Sequence, residues 1–334
     1  MTLDELDKLI REARSPHELF GDDIDAALRR FRIVCHPDRN PGDPRAERLF
    51  KDLHVLAEQA RRPPVTLSSP KGREYTLLKR IAVGEIADVH LASAAGNDYF
   101  LKLGRRPGAA ALLDNERTAL VALLSEAGNV HYGKYFPTLA ESFSTADSSD
   151  RRVNVFTWRP GLYTAEQVRQ RHEAGLDGRH LAWLFKRMLT AIGFTHRCGW
   201  VHGAVLPSHT LIQPEEHAVV LVGWGHAVPL GEHVRVLSVP YRNWYPPEIL
   251  ERRPTGPATD IFLAARCIVY LAGGDPVSGR MPDAVPQEIQ RFVRSCLLEG
   301  PRMRPDNAWE LLDEFDELLR ALYGPPKFYH LSMS

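Results

Sequence analysis

The residues best suited to bind a metal lie close together near the middle of the chain. His196 and Cys198 shortly precede the stretch Val201–Ala227, and His202 lies near its start. Histidine nitrogen and cysteine sulfur are common zinc ligands, so these three side chains could belong to a metal site. Partners at the spacing of zinc sites are missing, however, and the apolar surroundings are typical of a helix end in the core. The sequence therefore favours a structural role for them.

Predicted strands and helices position the other reactive side chains. Lys102 lies on a predicted strand over Asp98–Leu103, and Glu116 lies on a predicted helix from about Ala110 to Ser125. Two short apolar runs between Thr210 and Val222 flank a polar turn, and this pattern predicts a tight hairpin. Predicted strands dominate before the helix that carries Glu116, and predicted helices dominate after residue 158, which indicates an α+β architecture.

Several motifs from Tyr75 onward occur in the order and spacing of one known family. They include a glycine in a predicted strand–turn–strand, a lysine, a glutamate, the sequence VHGAVLPSH, the sequence GWG, the sequence YPPE and a central apolar helix. This series resembles the eukaryotic-type protein kinases over about residues 75–322. The resemblance implies a two-lobed α+β fold with an N-lobe over 75–157, a C-lobe over 158–325 and a tail over 326–334.

The resemblance also implies roles for individual residues. One group corresponds to a vestigial nucleotide site: Gly84, Lys102 and Glu116. A second group corresponds to residues that hold the kinase frame together: His202, Trp224, Glu248, Asp260 and Arg304. Within this frame we expect Trp224 to stack between His202 and Leu120, and Arg304 to pair with Glu248.

The positions that carry chemistry in that family hold other residues here. The base position is Ala204, and the two metal-ligand positions are His209 and Gly223. Phe100 stands where a small residue packs on adenine, so it should crowd the adenine slot. The chain therefore resembles a pseudokinase, with a binding module or scaffold as its predicted role. We expect no metal, no resident cofactor and at most weak ATP binding.

Two other functions stay open at this point. The chain could be an atypical serine/threonine-kinase-like phosphotransferase, or a nucleotide-sensing switch that binds ATP through Lys102 without metal. Glu215 and Glu216 could supply carboxylates, but they lie at the hairpin tip, which points away from the cleft in a kinase fold. Magnesium requires hard oxygen ligands, so the phosphotransferase hypothesis is the weaker one.

Residues 1–62 carry a second series of motifs. Amphipathic helices are predicted over 1–14, from Asp22 or Asp23 to about Cys35, and from about Ala46 onward. The segment between the last two reads HPDRNPGDP, which is a loop by composition. This arrangement resembles a J domain, a small all-α helical hairpin, over roughly residues 15–60.

The J-domain resemblance implies a DnaK-type ATPase chaperone as partner. The matching contact residues are the tripeptide and the basic face before it: His36, Pro37, Asp38, Arg29, Arg30 and Arg32. Val34 stands where that family usually has a lysine, which weakens the predicted electrostatic steering. The alternative is a plain helical hairpin in which Asp38 caps a turn. Residues 63–74 are rich in proline, serine and basic residues, which predicts a linker.

Composition limits the remaining classes of function. The 334 residues have a formal net charge of zero, so bulk charge indicates no nucleic-acid partner. No secretory signal and no membrane span are visible, and the four cysteines are isolated from one another. These features predict a cytoplasmic multidomain protein. They do not identify the client or regulatory protein that the kinase-like part would bind.

Overall fold

The computed structural model describes residues 1–106, 108–126, 131–147 and 150–333. The chain divides into two compact units. The first comprises Met1–Ala109 and Glu141–Trp158, and the second comprises Ala110–Ala140 and the chain from Arg159 onward.

The helices and strands follow one another along the chain with several short 3-10 turns between them. The helices are α1 (Leu3–Glu12), α2 (Pro16–Phe20), α3 (Ile24–Val34), α4 (Pro44–Ala60), α5 (Ala109–Glu126), α6 (Ala165–Arg171), α7 (Gly178–Arg197), α8 (Pro247–Leu250), α9 (Pro257–Leu271), α10 (Gln287–Ser295) and α11 (Ala308–Tyr323). The strands are β1 (Thr66–Ser68), β2 (Glu74–Val83), β3 (Ala87–Ala94), β4 (Asn97–Gly104), β5 (Leu139–Ser144), β6 (Arg152–Thr157), β7 (Tyr163–Thr164), β8 (Trp200–Val201), β9 (Thr210–Gln213), β10 (Ala218–Leu221) and β11 (Val228–Pro229).

Helices α1 to α4 form the N-terminal part of the first unit. Thr2 and Glu5 form a reciprocal capping box at α1, and the side chains of Asp23 and Asp43 cap α3 and α4. Their apolar faces meet in a core that includes Leu6, Phe20, Phe31, Leu49 and Leu53. Helix α2 was not predicted, because it is only one and a half turns long and periodicity needs a longer window.

A strand lies inside the predicted 63–74 linker, so that segment is more ordered than its composition indicated. Strand β1 pairs antiparallel with β2, with Leu67 opposite Tyr75. Leu67 is buried while Thr66 and Ser68 are exposed, which is the alternation of a half-buried strand. Three residues are too few for this period to be recognised among prolines and serines.

The first unit is built on a six-stranded sheet in the order β1-β2-β3-β4-β6-β5. One face of the sheet buries Tyr75, Leu101, Phe143, Val153 and Val155 in a common core. The Tyr75 hydroxyl donates a hydrogen bond of 2.9 Å to the buried Glu141 carboxylate, so its polar end is satisfied inside this core.

The N-terminal helices are fastened to this sheet by polar contacts. The Lys79 ammonium on β2 donates to the carbonyls of Ile10 at 3.1 Å, Ala13 at 3.3 Å and Arg11 at 3.4 Å, at the C-terminal end of α1. A cation at this end of a helix satisfies the last carbonyls and complements the helix dipole. Burial lowers the pKa of Lys79. Arg14 forms an ion pair with Asp98 on β4.

The second unit is mainly helical and contains the predicted hairpin. Helix α9 is buried along most of its length, as expected for the central apolar helix, and it packs on α7. Strands β9 and β10 pair antiparallel, with β7 beside β9, and this confirms the predicted hairpin. His217 in the turn has φ of +46°, a left-handed conformation suited to a tight turn. Strands β8 and β11 form a small separate ladder.

Two features bear on the predicted compartment. Among the described residues, no helix has the length and apolar character needed to cross a bilayer. Cys35, Cys198, Cys267 and Cys296 are free thiols. Burial raises the pKa of Cys296 to about 12 and raises that of Cys267 further, so both are kept as neutral core thiols.

Candidate functional site

Asp260, at the start of α9, fixes the backbone of the candidate site. Its fully buried carboxylate accepts 2.8 Å hydrogen bonds from the amides of His202 and Gly203. It also accepts a 3.0 Å bond from Nε2 of His196. Gly203 has φ of +71°, and a Cβ there would lie 2.7 Å from the Val234 side chain. His196 thus bonds to the Asp260 carboxylate, which agrees with the structural role that the sequence favoured for His196.

His202 is held in a single orientation by its two ring nitrogens. Nε2 donates to the Val222 carbonyl at 3.0 Å, and Nδ1 accepts from the Ala204 amide at 3.2 Å. A ring that donates at one nitrogen and accepts at the other is a neutral imidazole of defined tautomer. The centroids of the His202 and Trp224 rings are 4.4 Å apart, and the two rings meet edge-to-face.

The imidazole of His209 packs directly against Gly223. Its Nδ1 donates to the Ala204 carbonyl at 2.9 Å, which ties two of the three substituted positions together. Gly223 has φ of +87°, and a Cβ there would lie 2.7 Å from Cγ of His209. Any side chain at position 223 would need both a strained backbone and displacement of this ring. Ala204 is fully buried, so the three positions form one packed cluster.

Trp224 is the largest side chain of this cluster and is fully buried. Its indole nitrogen donates to the Leu221 carbonyl at 2.7 Å, and Phe136 contacts it edge-on at 5.4 Å. The sequence predicted the contact with His202, and the structure has it. It proposed Leu120 as the second neighbour. The structure has Phe136 in contact with the indole. A contact with Leu120, which is fully buried, stays a prediction.

Asn115 on α5 holds the GWG loop and was missed from the sequence. Its side-chain amide donates to the Gly225 carbonyl at 3.0 Å and to the Ala227 carbonyl at 2.7 Å. Gly225 runs so close to α5 that a Cβ would lie 2.9 Å from the Leu112 carbonyl. The sequence showed only that a polar residue precedes Glu116 on the predicted helix. Its spacing did not indicate which backbone carbonyls its side chain would bind.

The predicted ion pair between Glu248 and Arg304 is present and buried. The guanidinium donates to both carboxylate oxygens, at 2.6 Å and 3.1 Å. Arg304 also donates to the carbonyls of Leu298 and Glu299, and Thr259 donates to Glu248 at 3.1 Å. The side chains are 0% and 2% exposed, so this is a closed and fully bonded pair.

The residues predicted to contact nucleotide lie in both units. Gly84 sits in a tight turn in which its amide donates to the Ala87 carbonyl at 3.1 Å, and a Cβ would come within 2.6 Å of that oxygen. Lys102 lies on β4 with its ammonium 5.6 Å from the Phe156 ring centroid. Glu116 on α5 is almost fully buried.

Phe100 has an aromatic partner on the same unit. Its ring lies 4.3 Å from that of Trp158, with an interplanar angle of 38°. Trp158 is the last residue of the first unit. Phe100 is thus in contact with a second aromatic ring, and its place in an adenine slot stays a prediction.

Comparison with known proteins gives relatives among kinases, although no family model matches the chain. It is 25% identical over 256 residues, 71% of its length, to the probable serine/threonine-protein kinase PkwA of Thermomonospora curvata. It is 22% identical over 174 residues, 51% of its length, to the serine/threonine-protein kinase PAK mbt of Drosophila melanogaster. The matches span only 33% and 26% of those proteins.

A solved structure of vaccinia related kinase 3 superposes with a TM-score of 0.62. The match covers 81% of this chain and 94% of that one, at 16% identity. The chain has a two-lobed α+β protein-kinase-like fold. The fold class predicted for the chain after residue 75 is thus confirmed.

The segment His36-Pro37-Asp38 follows α3 as a short 3-10 turn. The Asp38 amide donates to Nδ1 of His36 at 3.2 Å, and the His36 ring meets Phe50 edge-on at 5.8 Å. Asn40 bridges the carbonyls of Val34 and His36 at 2.9 Å and 3.1 Å. The Asp38 carboxylate is 89% exposed, so the cap of this turn is His36 and not Asp38, contrary to the alternative hypothesis.

The basic residues of α3 differ in their surroundings. Arg32 is partly buried and lies 4.9 Å over the Phe50 ring, while Arg29 and Arg30 are exposed. Neither Arg29 nor Arg30 makes an ion pair within the part of the chain that the structure describes. Beside them runs an apolar surface groove lined by Met1, Leu9, Arg30, Phe31, Ile33 and Val34. Val34 therefore faces an apolar surface at the position where the sequence expected a lysine.

Proposed function

We propose that this protein is a catalytically inactive kinase-like binding module coupled to a J domain that recruits and stimulates a DnaK-type chaperone. The observation that carries the first half is the packing of His209 against Gly223. By resemblance these are the two metal-ligand positions of the family. Here an imidazole fills the space that a ligating carboxylate at 223 would need.

The chemical argument concerns three positions together. Phosphoryl transfer depends on a group that orients the nucleophile and on metal ions that neutralise the phosphoryl charge. Ala204, His209 and Gly223 offer no carboxylate, and magnesium takes oxygen ligands. Removing a general base alone slows a reaction by about 10²- to 10⁴-fold. The buried pair and the Asp260 contacts keep the frame rigid, so binding is the role that fits these residues.

The chaperone half of the proposal rests on the exposed face of α3. Arg29 and Arg30 are cations without an ion-pair partner among the described residues, next to the exposed Asp38 and an apolar groove. Such a face suits an acidic partner with apolar residues, because complementary charge increases the rate of association. Lys79 and Arg14 fasten the helices to the sheet. The kinase-like part would then bind the client protein that is delivered to the chaperone.

The test of this proposal is single-turnover ATP hydrolysis by a DnaK-type chaperone from the same source. We expect the full chain to accelerate hydrolysis, and His36→Gln or Asp38→Asn to abolish the acceleration. His17→Gln, at an exposed histidine of α2, is the matched control and should behave as the wild type. The effect should weaken with added salt, since exposed charges are screened. No acceleration at low salt would reject the chaperone half.

A second candidate, ATP-dependent activity or sensing, is favoured by the kinase names of the relatives and by the presence of Lys102. We expect ATP, with or without magnesium, to leave the melting temperature of the wild type almost unchanged, because by resemblance Phe100 would crowd the adenine slot. Phe100→Ala should gain a shift relative to its own ligand-free form. Ligand at 100 times its Kd stabilises by about 2.7 kcal/mol. A shift of that size in the wild type would support the second candidate instead.

A further inference from the structure

The C-terminal segment 326–333, here called the strap, lies on the hairpin of the second unit without helix or strand structure of its own. Leu331 is only 1% exposed, so it fills an apolar site. His172 donates from Nε2 to the Ser332 carbonyl at 2.9 Å, and His217 donates from Nε2 to the Tyr329 carbonyl at 2.6 Å. Two histidines of the body thus hold the backbone of the strap.

Aromatic stacking joins the strap to α7 through the hairpin. The ring of Phe328 lies 4.0 Å from that of His217, and the opposite partner of His217 is Trp183 at 4.3 Å with an interplanar angle of 6°. The Trp183 indole donates to Nδ1 of His180 at 3.3 Å. His180, Trp183, His217 and Phe328 therefore form a continuous relay from α7 to the strap.

Protonation of His180 would break the first contact of this relay. Nδ1 accepts the indole N–H only while it carries no proton, because a doubly protonated imidazole has no acceptor. The Trp183 indole would then lose its hydrogen-bond acceptor. The stack of Trp183, His217 and Phe328 would no longer be fixed at its α7 end. The contacts from His172 and His217 use N–H donors, which survive protonation, so His180 is the group at which a proton acts most directly.

Burial and neighbouring charges both act on the His180 ring. Its titratable neighbours are Asp177 at the N-cap of α7, His172 after α6, His217 in the hairpin and His330 in the strap. Burial lowers the pKa of His180 most strongly, Asp177 raises it, and the three histidines lower it. Burial also lowers the pKa of His217, beside which Arg187 donates to its carbonyl at 2.9 Å.

We propose that the strap is a proton-sensitive element, held by the neutral relay near neutral pH and released from the hairpin when His180 takes up a proton. One contact acts in the opposite sense, since His330 lies 3.0 Å from the Glu215 carboxylate and this pair strengthens in acid. Both side chains are more than half exposed, and an exposed pair contributes little. The loss of the His180 contact therefore outweighs the strengthened pair of His330 with Glu215, and acid is expected to release the strap.

The sign of the pH effect follows from linkage. His180 lies on α7, and while the strap is bound its pKa is lowered, first by burial and in part by His330 of the strap. Release of the strap removes His330 and exposes the ring more, which raises that pKa toward the ordinary histidine range. The bound form then carries fewer protons, so its stability is complete above about pH 6.5 and is lost as the pH falls below that value. A single linked proton changes the binding equilibrium by at most about tenfold per pH unit.

The experiment is hydrogen exchange of the strap amides in the full chain, normalised at each pH to a synthetic peptide of the same sequence. Protection in the wild type should fall several-fold between about pH 7.5 and about pH 5.5, across the ordinary histidine range. In His180→Gln the carboxamide oxygen accepts the indole N–H at every pH, so protection should stay constant. His233→Gln, at an exposed histidine of the same unit, should keep the wild-type response.

Two outcomes would overturn the proposal. One is a strap that stays protected at about pH 5.5 in the folded wild type, below the ordinary histidine range. The other is a wild-type response in His180→Gln. Should His180→Gln fail to fold, Trp183→Phe keeps a ring for the stack but lacks the indole donor, and it should likewise lose the pH response. A wild-type response in that variant would equally reject the relay.

Discussion

Replacing Arg304 by methionine is expected to lower the free energy of unfolding of the second unit by about 3–5 kcal/mol, the cost of breaking a buried ion pair. The Glu248 carboxylate would stay buried at 2% exposure, with Thr259 as its one remaining side-chain donor among the described residues. The carbonyls of Leu298 and Glu299 would also lose their donor. The measurement is urea-induced unfolding of wild type and variant.

The control for Arg304→Met is Arg302→Met, which removes a nearby exposed arginine and should change stability by less than about 0.5 kcal/mol. A double variant with Glu248→Leu tests the mechanism, because removing both charges relieves the buried carboxylate. We expect the double variant to be more stable than Arg304→Met alone. Equal losses in Arg302→Met and Arg304→Met would contradict a closed pair.

The features that the sequence predicted correctly are of two physical kinds. Hairpin β9–β10 and the amphipathic helices α1, α3 and α4 follow from local periodicity and capping residues. The pair of Glu248 with Arg304 and the contact of His202 with Trp224 followed from the order of motifs, because a shared fold brings fixed positions together.

Other features depend on distances that no local pattern encodes. Asn115 and Gly225 are 110 residues apart, and the Lys79 contact with α1 spans 69 residues. The packing of His209 on Gly223 joins two loops at positions that the sequence singled out separately. Each residue taken alone was predicted only to lack a ligand. In the structure the two residues complement each other sterically.

This complementarity has a consequence for restoring a kinase-like residue. Aspartate at position 223 would need φ of +87° and would place its Cβ 2.7 Å from the His209 ring. Asparagine at position 209 would in turn remove the imidazole that donates to the Ala204 carbonyl, and this carbonyl would need a new hydrogen-bond donor. A single substitution toward the family pattern is therefore expected to destabilise the loop.

Trp224→Ala is expected to cost about 3–5 kcal/mol of stability, the range for truncating a large aromatic residue in a packed core. The indole is fully buried, lies 4.4 Å from the His202 ring and 5.4 Å from the Phe136 ring, and donates to Leu221. Its removal leaves a cavity beside the His202 and Phe136 rings, next to backbone that Asp260 holds at His202 and that Asn115 holds at Ala227. Such a site collapses poorly, so the loss should fall in the upper part of that range.

Trp224→Phe separates the ring from the hydrogen bond. Phenylalanine keeps most of the contact with His202 and Phe136 but leaves the Leu221 carbonyl without its 2.7 Å donor. An unsatisfied buried acceptor costs about 1–3 kcal/mol, so this variant should lie between wild type and Trp224→Ala in urea-induced unfolding. A loss below about 1 kcal/mol for Trp224→Ala would be typical of a surface position. That result would mean that Asn115 holds the GWG loop without a contribution from the indole.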